Sequence, residues 1–221
     1  MEANGCVFPE GLEYSPDMNL WFRKERHSDS YRVGMTSALL WLAGKQSKIT
    51  LKPAGTAVGE GKSIGSIETP RFFDTMRVPF PCVIENINGR VASGETVGTR
   101  SIYEEHWLAV VAVGTRTGPQ ERLVSGEVAR NAAVERVEAL RLQCFAELPD
   151  VDMVEIGSEC SAVLSRLSHL VENKEKGFTV HLVTDDLTSP IEMVRWADET
   201  GNRLLETRKI VNIYHFIAVR K

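Results

Sequence analysis

Between Gly55 and Asn88 the chain is cut into short apolar runs by Gly55, Gly59, Gly61 and Gly65, and the last run closes at Gly89. The runs are Thr56-Ala57-Val58, Ser63 to Glu68, and Val83 to Asn88. Each is too short for a stable helix and is bounded by turn-forming residues, which predicts a β-sandwich or flattened barrel. Flanking segments agree. Tyr31 to Met35 and Lys48 to Leu51 alternate as strands, and Trp107 to Val111 reads as a further strand. Ser37 to Leu42 is a short helix stopped by Gly44.

After Gly118 the character changes. Gly126 to Leu148 is rich in Ala, Glu and Arg, with Val128, Ala132, Val134, Val137, Leu140, Leu142 and Phe145 near helical spacing. This predicts one long helix closing a first domain, with Cys144 packed within it. Pro149-Asp150 breaks it, so the domains are expected at 1–149 and 150–221. In the second domain the period changes again. Met153 to Ile156 is a strand, and Ser161 to Asn173 a helix with Val163, Leu164, Leu167, Leu170 and Val171 on one face. Phe178 to Val183 is a second strand. Pro190 to Thr200 is a helix with proline at its start and Gly201 past its end, and strands at Leu204 to Lys209 and Val211 to Val219 follow. The order βαβαββ predicts a two-layer sandwich, with two helices over one face of a four-stranded sheet. The bare opposite face and an edge strand leave docking and a homodimer open. The whole chain is thus expected to be α+β.

Residues 8 to 111 resemble the glycine cleavage H-protein. Phe8-Pro9-Glu10-Gly11-Leu12-Glu13-Tyr14-Ser15 matches its opening, Leu20-Trp21-Phe22-Arg23 its first strand, and Tyr31 to Thr36 the strand before its short helix. Gly55 to Gly61 is similar to the hairpin found throughout the lipoyl-domain superfamily, and Glu105-His106-Trp107-Leu108 to a late strand. The resemblance implies a lipoyl-type β-sandwich (a hammerhead, or barrel-sandwich hybrid). It also implies a lysine that carries lipoate, in the family's "E-S-V-K-A". The corresponding stretch here is Glu68-Thr69-Pro70-Arg71-Phe72, and no lysine lies between Lys62 and Lys174. Lipoylation requires a neutral amine, and a guanidinium stays protonated at physiological pH. Arg71 therefore stands at the lipoyl-lysine position without its chemistry, and no cofactor is expected. Phe72, Phe73 and Met76 are expected to add apolar surface at this hairpin tip, favouring a partner contact.

Residues 152 to 221 resemble the TusA-like sulfur carriers, which have βαβαββ architecture and a cysteine that accepts sulfane sulfur at the start of the first helix. The matching segment is Cys160-Ser161-Ala162-Val163, where both prolines of the family's C-P-x-P motif are replaced. Asp185-Asp186, Trp196, Gly201 and Tyr214-His215-Phe216-Ile217 also fit that pattern. Cys160 is the expected catalytic residue. Unpaired amides and the helix dipole favour a thiolate there, and Glu159 opposes it.

The remaining residues narrow the function. The net charge of −4 gives no case for nucleic acid. No apolar run approaches the ~20 residues of a membrane span, and the first residues lack a signal peptide's pattern. A cytoplasmic protein with four reduced cysteines is expected. No cysteine pair has metal-ligand spacing, so no metal is expected. Cys82 is a candidate for a second exposed thiol near Arg71. Asp185 and Asp186 read as strand-end caps, and His106, His169, His181 and His215 show no shared site. Two functions follow. One is a non-lipoylated docking module fused to a carrier that relays sulfane sulfur on Cys160 between donor and acceptor proteins. The other is an inert adaptor or regulator built from two degenerate carrier folds. Either is a carrier or relay rather than a turnover enzyme.

Overall fold

The computed structural model describes residues 1–99, 101–114 and 122–221; Gly118 lies outside them. The chain forms two compact units, Met1–Cys144 and Phe145–Lys221.

The first unit contains two principal antiparallel sheets. The larger has the order β3-β4-β5-β11-β10-β7. Its strands are β3 (Glu13–Tyr14), β4 (Leu20–Lys24), β5 (Ser30–Met35), β7 (Ala57–Val58), β10 (Cys82–Ile87) and β11 (Ala109–Val113). The smaller has the order β6-β8-β9, from β6 (Lys48–Leu51), β8 (Ser63–Thr69) and β9 (Phe72–Arg77). A two-stranded ribbon, β1 (Glu2–Ala3) and β2 (Cys6–Val7), precedes them. Tyr14, Phe8, Trp21, Phe22 and Phe80 are fully buried. Phe80 packs against Phe22 and Tyr31 with ring centroids 5.4 and 6.0 Å away, close enough for attractive ring contacts. Gly34 on β5 is required by this core, since a Cβ there would fall inside the Trp21 indole. Trp21 Nε1 donates to the Ile102 carbonyl at 3.2 Å, so the buried indole keeps a partner.

Helix α1 (Ser37–Ala43) starts at Thr36, whose buried hydroxyl accepts from Leu39 N–H at 3.4 Å and donates to the Met18 carbonyl at 2.7 Å. Gly44, with φ +83°, ends it. A second short helix, α2 (Gly89–Ala92), is capped by Asn88, which also donates to Glu105.

The helix expected over Gly126 to Leu148 is shorter. Helix α3 covers Gly126–Ala139. Its buried stripe is Ala129, Ala133 and Val137, while Val128 and Val134 face solvent. The chain then turns through Arg141 at φ +51°. Leu142 and Cys144 bond Asn4 instead of continuing the helix. The reason is covalent: Cys144 is joined to Cys6, with Cα atoms 4.8 Å apart. The expectation of four reduced thiols is corrected for these two, and Cys144 lies beyond the helix rather than in it.

In the second unit the order is β12 (Val151–Glu155), α4 (Cys160–Glu172), β13 (Thr179–Thr184), α5 (Ser189–Thr200), β14 (Arg203–Ile210) and β15 (Ile213–Val219). The sheet runs β12-β13-β15-β14, with β12 parallel to β13 and the other pairs antiparallel. Val163, Leu167 and Val171 of α4 join Met193 and Trp196 of α5 over Val180, Leu182, Phe216 and Ala218 of the sheet. Pro190 opens α5, where its missing N–H is harmless, and Gly201 closes it in the left-handed region. The opposite sheet face is not bare as anticipated. Phe145, 6% exposed, lies against His181 and His215 on it.

Candidate functional site

Two places concern function, and each lies within one unit. In the first unit β8 ends at Thr69 and β9 begins at Phe72, so Pro70 and Arg71 form the tip of the hairpin. The Thr69 hydroxyl accepts from Arg71 N–H at 3.3 Å and Phe72 N–H at 3.0 Å, which fixes the turn locally. The Arg71 side chain is exposed. The apolar surface expected around it is smaller than three residues. Phe73 is 66% exposed and Phe72 half-buried, but Met76 is fully buried, fitting against the space that Gly65 leaves without a Cβ. The tip does not fit an amide-linked lipoyl arm. Its only ionisable nitrogen group is a guanidinium, which offers no free electron pair for acylation.

Cys82 is corrected from an exposed thiol to a buried one. On β10 it faces Val58 and Val113 in register, and it is 5% exposed. Burial pushes its thiol up to about 11.

In the second unit the loop after β13 folds against the start of α4. Asp185 Oδ1 accepts from Gly157 N–H at 2.8 Å. Asp186 Oδ2 accepts from the Cys160 N–H at 3.1 Å, and its Oδ1 accepts from the N–H and hydroxyl of Thr188 at 2.7 and 2.6 Å. Asp186 caps the local turn, as the sequence predicts, whereas Asp185 ties that turn to the distant Gly157. Asp186 serves two elements at once, which holds its carboxyl below the usual range. Glu159 precedes the helix without a side-chain cap bond.

These contacts reverse the charge preference expected of Cys160. The residue is half-buried at the first position of α4. Partial burial and then the Asp186 carboxylate raise its thiol above the ordinary value. Glu192 adds to the rise, and a hydrogen bond with Thr188 opposes it. The amide that would have stabilised a thiolate is taken by Asp186, which brings its own negative charge. The contact joins residues 26 apart in sequence, so the local sequence around Cys160 carries no signal of it.

Histidines expected to be unrelated are brought together in one case. His181 Nε2 and His215 Nδ1 lie 3.0 Å apart, and His181 Nδ1 is 2.8 Å from Asp152 Oδ1. His106 is buried between Ser101 and Glu95, and His169 pairs with Glu172 on an exposed helix face. Among the described residues no group of three His, Cys, Asp or Glu is arranged to hold a metal ion. No described helix is long and apolar enough to cross a membrane.

Comparison with known proteins bears on the first unit. The chain is 28% identical over 145 residues to a probable glycine cleavage system H protein 2 of Sulfurisphaera tokodaii, covering 64% of this chain and 96% of that one. A glycine cleavage system H protein 2 of Aquifex aeolicus is 27% identical over 146 residues, covering 66% of this chain and 90% of the other. A crystal structure of a glycine cleavage system H protein from Mycobacterium marinum aligns at TM-score 0.41 and 22% identity, covering 61% of this chain and all of that one. The sequence model of the Glycine cleavage H-protein family matches residues 12–136, a span that runs from β3 into α3 and includes the Arg71 hairpin. With that match across more than half its length, the chain belongs to the glycine cleavage H-protein family.

Proposed function

We propose that the first unit is a non-lipoylated docking module that recognises protein partners through the hairpin and the surface around it. The observation carrying this reading is Arg71 at the β8–β9 tip, where the family resemblance calls for a lysine. The exposed Phe73 one residue into β9 supports a contact role, because an aromatic ring held in solvent gains by burial against another protein.

The second unit, which resembles TusA-like sulfur carriers, would relay sulfane sulfur on Cys160. The Cys160 thiolate attacks the terminal sulfur of a donor persulfide R–S–SH, the donor S–S bond breaks, and the products are Cys160–S–SH and R–S⁻. Cys160 is half-buried at a helix start, and Thr188 favours the anion. The raised thiol slows this step in the isolated protein, because only the thiolate attacks. That same observation favours the second reading, an adaptor in which Cys160 is no longer used.

Intact mass spectrometry of the full chain, from its native host and after incubation with glutathione persulfide, separates the readings. A reducible one-sulfur adduct present in the wild type and absent from Cys160→Ser is expected for the relay. No adduct on Cys160 at any donor concentration leaves the adaptor. A lipoyl adduct anywhere on the first unit refutes the docking module as stated.

A further inference from the structure

The face of the second unit's sheet opposite its helices carries a cluster that none of the functions above uses. His181 on β13 and His215 on β15 stack with ring centroids 5.2 Å apart. Phe145 covers both, at 4.6 Å from His181 and 5.4 Å from His215. The Arg208 guanidinium on β14 lies over the Phe145 ring, 4.7 Å from its centroid. Glu206 on the same strand pairs with Arg208 and accepts from Ala146 N–H at 2.7 Å. Asp152 on β12 completes the ring of charges at His181 Nδ1. We propose that these residues form a proton-operated latch, in which the His181–His215 hydrogen bond holds Phe145 on the sheet and uptake of a second proton releases it.

The argument is one of donors and acceptors. Asp152 is a carboxylate, so His181 Nδ1 carries the hydrogen that bonds it. In the neutral pair His181 Nε2 is then an acceptor, and His215 Nδ1–H donates to it across 3.0 Å. A first proton from water enters at His215 Nε2 and leaves this bond intact. A second can enter only at His181 Nε2. That places two N–H donors face to face, on two cations, beside the Arg208 guanidinium. The bond is lost, and the rings that support Phe145 separate.

The charges oppose protonation in the closed form. Burial, then His181 and Arg208, hold His215 below the ordinary imidazole value. A histidine depressed in the closed state stabilises that state at pH above its free value, about 6.5. The stabilisation falls away as pH drops through the lowered value. Glu206 is engaged with Arg208 and Ala146 and limits the repulsion without removing it.

The test is an NMR titration of the full chain from pH 8 to 4.5, following the histidine ring protons and the Phe145 ring. The two imidazoles should titrate in coupled steps, and the Phe145 signals, shifted by the stacked rings, should move to free-phenylalanine positions with the second step only. In His215→Phe, which keeps an aromatic platform without the proton site, the Phe145 signals should stay shifted throughout. Asp152→Asn should move the release to lower pH, because the second proton then lacks its carboxylate. Phe145 remaining in place while both histidines become charged overturns the latch, as does release at an unchanged pH in His215→Phe.

Discussion

Burial raises the Cys160 thiol most, and Asp186 adds the next largest share. A carboxylate that accepts the helix's first N–H also sets a negative charge beside the sulfur, so one residue both builds the helix start and suppresses the thiolate. Replacing it tests this directly. In Asp186→Asn the thiol should fall toward its ordinary value, and alkylation of Cys160 by iodoacetamide near neutral pH should quicken severalfold. Asp185→Asn should leave the rate unchanged, since Asp185 bonds Gly157 and is not among the charges that raise Cys160. An unchanged rate in Asp186→Asn would mean that burial, not this carboxylate, sets the thiol. The sequence shows the acidic pair and the cysteine, and it predicts capping for the pair. It does not show that the cap and the thiol are one site, because that depends on the β13–α5 loop folding back onto α4.

At the level of elements, the hydrophobic pattern works best where local chemistry is complete. Helix α1 has its Thr36 cap and Gly44 stop within a few residues, and its limits follow from the sequence. The buried Thr36 hydroxyl serves two backbone groups. Thr36→Val should therefore cost the first unit about 1–3 kcal/mol in urea unfolding, and Thr36→Ser most of nothing by comparison. A loss in Thr36→Ser with none in Thr36→Val would show that the methyl, not the hydroxyl, matters. Helix α3 shows where the pattern misleads. Val128 and Val134 lie on the solvent side, while Ala129 and Ala133 share the buried stripe with Val137, so large side chains alone do not mark the buried face. Its far end is misread for another reason. Helical spacing from Leu140 onward ignores the left-handed Arg141 and the pull of a cysteine near the start of the chain. The hairpin is intermediate: the tip at Arg71 is legible from the family resemblance, whereas the burial of Met76 depends on its seat against Gly65, across the pair β8–β9.

For the molecule as a whole, the disulfide is the feature no periodicity announces. Cys6 and Cys144 are 138 residues apart, and both are buried. Cross-linking so long a loop removes much of the unfolded chain's freedom, worth about 3–5 kcal/mol in the entropic account. The double variant Cys6→Ala, Cys144→Ala should lower the urea midpoint of the first unit accordingly, with little change in its circular dichroism. Wild type treated with reductant while unfolded should match it. A midpoint insensitive to both would show that the bond adds nothing to packing already in place. The bond also turns the first unit into a ring. A protease that cuts once between residues 7 and 143 leaves a single covalent molecule, heavier by one water, and separate fragments appear only after reduction. Tension drawn along the backbone enters at Cys6 and leaves at Cys144, so the sheets between them, with the Arg71 hairpin, carry none of the load.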